Sequence, residues 1–338
     1  MDIYKRMGVL YERIDEITTD INKYSEVLGV PKEEAERDVD NFKKFKDISI
    51  GNRDTRTYVI NLYTKLLISY FQFNDETVKK YVNFHNILDN DIRIIYELLL
   101  DKYDISHLIE KYNLDYQITE EAFREIAKAE EAEIQFYFTK LVARVRLIAT
   151  ILYSIEDGQD AIDTLQYQNI NEIGFNRKDY IWIAYKSNTY YISFLKFKDE
   201  DTLINIQSKT TVNTKPHYSP KNPIVVSNKD NSNRITVGGY ISTPTERHLY
   251  YNERIFNLPD ISLGAMKTEL ETIDDLIYDL IEINQEGKGK YLITGADMGV
   301  GKSTLLVAML GKVPNRWSIG IIDSQDETQA DVKYPHKD

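Results

Sequence analysis

The sequence predicts a multidomain chain in three parts. These are an all-α N-terminal region over 1–143, an α+β domain over 144–258, and linker helices opening the first part of an α/β domain over 259–338. Three observations predict this. Apolar residues recur at helical spacing from the N-terminus to about Leu152. From Asp157-Gly158 onward the composition shifts to aromatic and β-branched runs parted by turn residues. From Lys290 an apolar run, a glycine-rich turn and a helix-period apolar stretch follow one another as KYLITGADMGVGKSTLLVAMLGK.

In order, Ile3 to Val30 is amphipathic, and Pro31 opens a new helix at its first turn, with Glu33 and Glu34 suited to that positive end. Tyr58, Leu62, Leu66 and Tyr70 recur at helical spacing, with Val59, Leu67 and Phe71 widening the stripe. Asn74-Asp75 marks a break, and helices are expected over Ile92 to Tyr103 and Ile105 to Tyr112. Thr119 is a capping position with Glu120 and Glu121 in the first turn. That helix is expected to run through the acidic patch Glu130, Glu131 and Glu133 into Phe138, Leu141, Val145, Ile148 and Leu152. No residue here forms a catalytic or ligating pattern. His85 and His107 read as surface or packing residues on helices, and the region reads as a module for docking or oligomer contacts.

Tyr180 to Tyr185 and Tyr190 to Phe197 read as strands flanking a hairpin loop, Lys186-Ser187-Asn188-Thr189. Asp199 to Ser208 returns to helix, and Pro216, Pro220 and Pro223 mark an extended loop. Strands are expected at Arg234 to Ile241 and Leu249 to Phe256, with the domain ending near Leu258-Pro259. Ser262 to Glu286 reads as one or two helices with Leu276, Leu280 and Ile283 on one face, and Gly287-Lys288-Gly289 turns the chain onward.

Tyr291 to Thr294 then has the composition of a buried parallel strand, as does Trp317 to Asp323. Strand, glycine-rich turn and helix together make a P-loop in its proper setting. Gly299 and Gly301 lack Cβ atoms, so the backbone can take left-handed angles and approach a phosphate. Successive amides at a helix N-terminus form an anion-binding nest. The expected nucleotide-binding residues are Gly295, Ala296, Asp297, Met298, Gly299, Val300, Gly301, Lys302, Ser303 and Thr304. Lys302 is placed to reach the β- and γ-phosphates of ATP, and the Ser303 hydroxyl to ligate Mg²⁺. Ala296 stands where the strict pattern has its first glycine, with Gly295 one residue earlier. The competing reading is a glycine-rich turn that contains GKS by chance.

Hydrophobic residues make up 42% of the 338, enough for real cores. There is no cysteine, which fits a reducing compartment. The N-terminus lacks the apolar segment of a signal peptide, and no window is long and apolar enough to span a membrane. A net charge of −12 disfavours general binding to a nucleic acid backbone, so direct nucleic-acid binding is not expected.

The order of a β-rich domain, linking helices, ITGADMGVGKSTLL and WSIGIIDSQDE resembles the secretion ATPase superfamily, the motors of type II and type IV secretion and of pilus assembly, and most of all its Tad-pilus (CpaF-like) and conjugative branch. DTLQYQNINEIGFNRKDYIWI is similar to the segment leading into the first hairpin of that family's N-domain. RHLYYNERIF resembles the strand that closes that domain and puts Arg254 on an arginine facing the nucleotide phosphates. VPNRWSIGIIDSQDETQ resembles the acidic Asp box, placing Asp323 as a metal-associated carboxylate and Glu327 as a catalytic one beside Lys302, although glutamate is usual at Asp323. The alternative readings are an ordinary strand arginine at Arg254 and a solvated acidic loop at Asp323 and Glu327.

The resemblance covers about Arg144 onward and implies a RecA-like P-loop domain with ATP held between it and the β domain. It further implies a hexameric ring, membrane-platform partners, and a cytoplasmic location at the membrane periphery. The family's Walker B and His-box motifs lie beyond its Asp box, so the P-loop domain is expected to be incomplete at Asp338 and the chain a fragment of a longer motor, the other possibility being a degenerate protein. A P-loop nucleic-acid translocase and a non-catalytic, nucleotide-sensing interaction protein are the rival functions.

Overall fold

The computed structural model describes residues 3–48, 53–156, 165, 169–186, 188–197, 199–212, 214–228, 233–239, 249–255, 261–296, 300–322, 328 and 330–336. The chain divides into two compact units, Met1–Ser227 with Ile235–Ile255, and Asn228–Arg234 with Phe256–Asp338.

The first unit opens with helices Ile3–Thr19, Ile21–Leu28 and Lys32–Ile48. The single helix expected to Val30 is broken at Asp20, whose carboxylate accepts from the amides of Asn22 and Lys23 at 2.8 and 3.0 Å and so caps a new start. Arg53–Ser69, Ile92–Lys102 and Ile105–Tyr112 follow. Thr119 caps Glu120–Ala129 as expected, accepting from Ala122 N at 3.3 Å. The long helix expected from Thr119 to Leu152 is instead three: Glu120–Ala129, Glu131–Tyr137 and Leu141–Glu156. The first break falls at Glu130, whose backbone sits at φ −94, ψ 4 while its side chain is drawn into contacts with residues far away in sequence. His85 lies outside any helix, and His107 stacks on Tyr103 at 5.6 Å. Leu66, Leu67, Ile95, Leu99, Phe123, Ile148 and Leu152 are fully buried, so the helical stripes converge on one core.

That core is continuous with one face of a seven-stranded sheet. Its strands are β1 (Gln117–Ile118), β2 (Glu172–Arg177), β3 (Tyr180–Tyr185), β4 (Asn188–Ile192), β5 (Ile224–Asn228), β6 (Arg234–Gly238) and β7 (Tyr250–Arg254), in the order β1-β4-β3-β2-β7-β6-β5. β1 comes from the helical region and pairs parallel with β4, whereas β3 pairs antiparallel with β2 and β4, and β2 with β7. The four-residue hairpin loop is shorter than expected, since Tyr185 already pairs with Asn188 and Lys186 adopts φ 47. β5, which begins directly after Pro223, was not among the expected strands. Alternation sends Ile173, Phe175, Ile181, Ile183, Val237 and Tyr251 inward. Phe175 stacks on Tyr251 at 4.8 Å. Asp199 caps helix Glu200–Thr210 through Thr202 N at 2.8 Å. Its buried Gln207 donates to Gly238 O at 3.1 Å and Tyr250 O at 2.9 Å, tying β6 to β7.

On the other face the Trp182 indole crosses over Gly174, its strand neighbour. A Cβ at Gly174 would stand 2.2 Å from Trp182 Cζ2. Gly174→Ala is therefore expected to displace the indole and cost about 1–3 kcal/mol. Urea unfolding followed by tryptophan fluorescence measures this, and an unchanged midpoint and spectrum would contradict it.

The second unit holds helices Leu263–Thr268, Asp275–Glu286, Lys302–Leu310 and Ala330–Lys333. Leu263, Met266, Ile281, Ala308 and Met309 form its small core. Ser262 to Glu286 is thus two helices. Leu276, Leu280 and Ile283 share a face, but that face is exposed while Ile281 turns inward. The strands expected at Tyr291 to Thr294 and Trp317 to Asp323 are also corrected, because no ladder forms among the described residues of either segment. Leu292 is 89% exposed, and Ile322 is likewise in solvent. A parallel strand is stable only with hydrogen-bonded neighbours and covered faces, and neither segment has them among the described residues.

Candidate functional site

The candidate site is the turn from Gly295 to Thr304 in the second unit. Gly301 takes φ 88, ψ 13, a left-handed conformation that L side chains rarely adopt, and stands at the N-cap of Lys302–Leu310. The first intrahelical bond runs from Leu305 N to Gly301 O at 2.9 Å. The amides of Lys302, Ser303 and Thr304 thus belong to the first helical turn, whose N–H groups have no partner within the helix. The helix dipole adds positive potential there, so the turn can hold an anion.

Lys302, Ser303 and Thr304 are half-buried, and Val300 and Ala296 are exposed. Gly295 lies against Val300 and the aliphatic stem of Lys302. Ser303 could join a cation site through its hydroxyl. No group of three or more His, Asp or Glu residues able to hold a metal is found among the described residues. Asp297, Met298, Gly299, Asp323 and Glu327 lie outside the described residues.

Arg254 ends β7, opposite Glu172 on β2. Asn252, on the same strand, donates through Nδ2 to Glu172 Oε2 at 3.3 Å. Arg254 belongs to the first unit and the glycine turn to the second.

The helix behind the turn is braced within its own unit. Lys312 Nζ donates to Glu282 Oε1 at 2.7 Å and to the Tyr278 hydroxyl at 2.5 Å. The bond from Lys312, with another from the Tyr278 hydroxyl at 3.1 Å, holds Glu282 below its ordinary pKa, and the two bonds made by Lys312 hold it above its own. The Tyr334 hydroxyl donates to Val307 O at 3.0 Å and closes over Gly311.

A further cluster went unread in the sequence. Glu130, only 4% exposed, accepts from Tyr103, Tyr112 and Lys111, while Lys102 donates to the Tyr103 hydroxyl at 2.6 Å and to Glu133 at 2.7 Å. Burial acts to raise the Glu130 pKa, but the three hydrogen bonds outweigh it and bring the carboxyl to about 2. Burial and the hydrogen bonds to Glu130 push both tyrosines well above their usual range. With its oxygens engaged, Glu130 fastens helix Ile105–Tyr112 to the break after Ala129, a structural clamp. The signal available was Lys111-Tyr112 at a helix end, a cation and a donor within reach of an acidic patch.

The described fold defines a mixed helical and sheet protein, of multidomain α/β type, with a glycine turn capping a helix that begins Lys-Ser-Thr. No protein-family model matches the chain, and no curated protein matches it. Among solved structures it is similar to the VirB11 ATPase from the Brucella suis type IV secretion system, determined in complex with sulphate, at 14% identity and a TM-score of 0.25 over 44% of this chain. The chain spans half of that structure's length, 50%. At that identity and score, neither fold nor activity carries over. No helix among the described residues is long and apolar enough to cross a membrane.

Proposed function

We propose that this protein is an ATP-binding motor subunit, an ATPase that energises type II or type IV secretion, pilus assembly or conjugative transfer. The observation carrying the proposal is the turn itself, in which Gly301 at φ 88 caps a helix opening with Lys302, Ser303 and Thr304. Lys302 and the first amides of that helix hold the β- and γ-phosphates and offset charge as the phosphoryl group transfers. Ser303 and Asp323 would hold Mg²⁺, which shields the phosphate charge. Glu327 orients the attacking water, and Arg254 senses the phosphates from the β domain. The motor works as a homo-oligomeric ring, in the resemblance a hexamer, on a platform at the cytoplasmic membrane. The helical region over 1–143, the α+β domain over 144–258 and the P-loop part over 259–338 are its functional divisions.

Equilibrium titration with ATP, ADP and AMP, with and without Mg²⁺, tests the binding step. ATP and ADP are expected to bind at least about tenfold tighter than AMP, because only they bring a β-phosphate to the turn. Equal affinity for all three would sink the proposal. In the full-length protein, ATP binding without turnover would instead favour a nucleotide sensor, and DNA-stimulated turnover a nucleic-acid translocase.

A further inference from the structure

Two glycines flank the candidate turn for different physical reasons. Gly301 is required by its backbone, since φ 88 is strained for any residue with a Cβ. Gly295 has no left-handed φ, so what it supplies is room. A Cβ built there would stand 2.5 Å from Val300 Cγ2 and 3.4 Å from both Cγ and Cδ of Lys302. The lysine stem therefore lies along the bare α-carbon of Gly295. Ala296, the position that strict spacing reserves for glycine, is exposed, as is Gly295 itself.

We propose that Gly295, and not Ala296, closes the turn around Lys302 and acts as the positioning residue that sets the direction of the lysine stem, hence the reach of its ammonium toward the β-phosphate. This rests on the nucleotide-binding reading above. It explains how alanine is accommodated at 296: the space the lysine needs is supplied one residue earlier, in a turn one residue longer than the strict spacing. A methyl group at 295 is resisted chiefly by Val300, whose β-branched side chain has few rotamers in which to retreat. The stem of Lys302 is then displaced with it.

The test is a double-mutant cycle on the 338-residue chain, comparing Gly295→Ala in the wild-type background with Gly295→Ala in a Val300→Ala background. Affinities for ATP and AMP and the thermal midpoint are read for each. In the wild-type background Gly295→Ala is expected to weaken ATP about tenfold, the scale on which overpacking by a methyl group is felt. AMP affinity and the thermal midpoint should change little, because the β-phosphate contact is what is lost. In the Val300→Ala background the penalty is expected to shrink to about threefold or less, since the atom nearest the new methyl is gone. A full penalty in both backgrounds, a penalty shared equally by AMP, or no penalty at all would overturn the assignment. Wild-type protein that does not prefer ATP over AMP would overturn the nucleotide reading itself, and Gly295 with it.

Discussion

Lys302→Ala is expected to weaken ATP binding about tenfold to a hundredfold, the range for losing a hydrogen bond to a charged group. Lys302 opens the helix that follows Gly301, and its stem passes Gly295. An ammonium there adds a full charge to the partial positive charge of the helix N-terminus, so both act on the same phosphate. Alanine is a good helix former at this position, so the fold should survive and the thermal midpoint should move little. Lys302→Arg is not expected to restore affinity, because a planar, forked guanidinium does not reproduce the compact point charge of the ammonium. Calorimetric titration with ATP separates the outcomes. Wild-type affinity in Lys302→Ala would mean that the turn does not hold phosphate.

Glu130→Gln is expected to cost about 2–4 kcal/mol at neutral pH, the range for removing one partner of a buried charged network. The amide keeps the shape of the carboxylate, but it cannot accept from Lys111, Tyr103 and Tyr112 with the strength of an anion. The pH dependence has a definite sign. The folded-state carboxyl is held at about 2, below its reference value of 4.5. Its stabilisation is therefore complete above 4.5 and is lost as the pH falls from there toward 2. The stability difference between wild type and Glu130→Gln should be largest near neutrality and shrink progressively below pH 4.5. Urea unfolding at neutral pH and at two acidic values reads it out. A difference independent of pH would show that the charge of the carboxylate is not what stabilises the fold there.

Some of the structure can be read from the sequence because its cause is local. Thr119 caps a helix as its position suggests, a helix follows Asp199 where one was expected, Ile105–Tyr112 runs between the expected ends, and Tyr180–Tyr185 alternates as a strand should. The candidate turn is legible in the same way, since Gly301 supplies its own φ and Lys302 follows it directly into a helix.

The chain by itself thus determined what lies within one turn or one strand: caps, periods and backbone angles, each set by neighbouring residues. Only the tertiary structure decided which partners met. Glu130 ended a helix that its neighbours would have continued, because Lys111 and Tyr112 come to it from helix Ile105–Tyr112 and Tyr103 from the cap of helix Ile92–Lys102. Gln117–Ile118, too short to read as a strand, became one by pairing with β4. Leu292 and the Leu276–Leu280–Ile283 stripe carry apolar patterns of buried elements, yet they face solvent, because burial needs a second surface and periodicity within one segment does not say whether that surface is there.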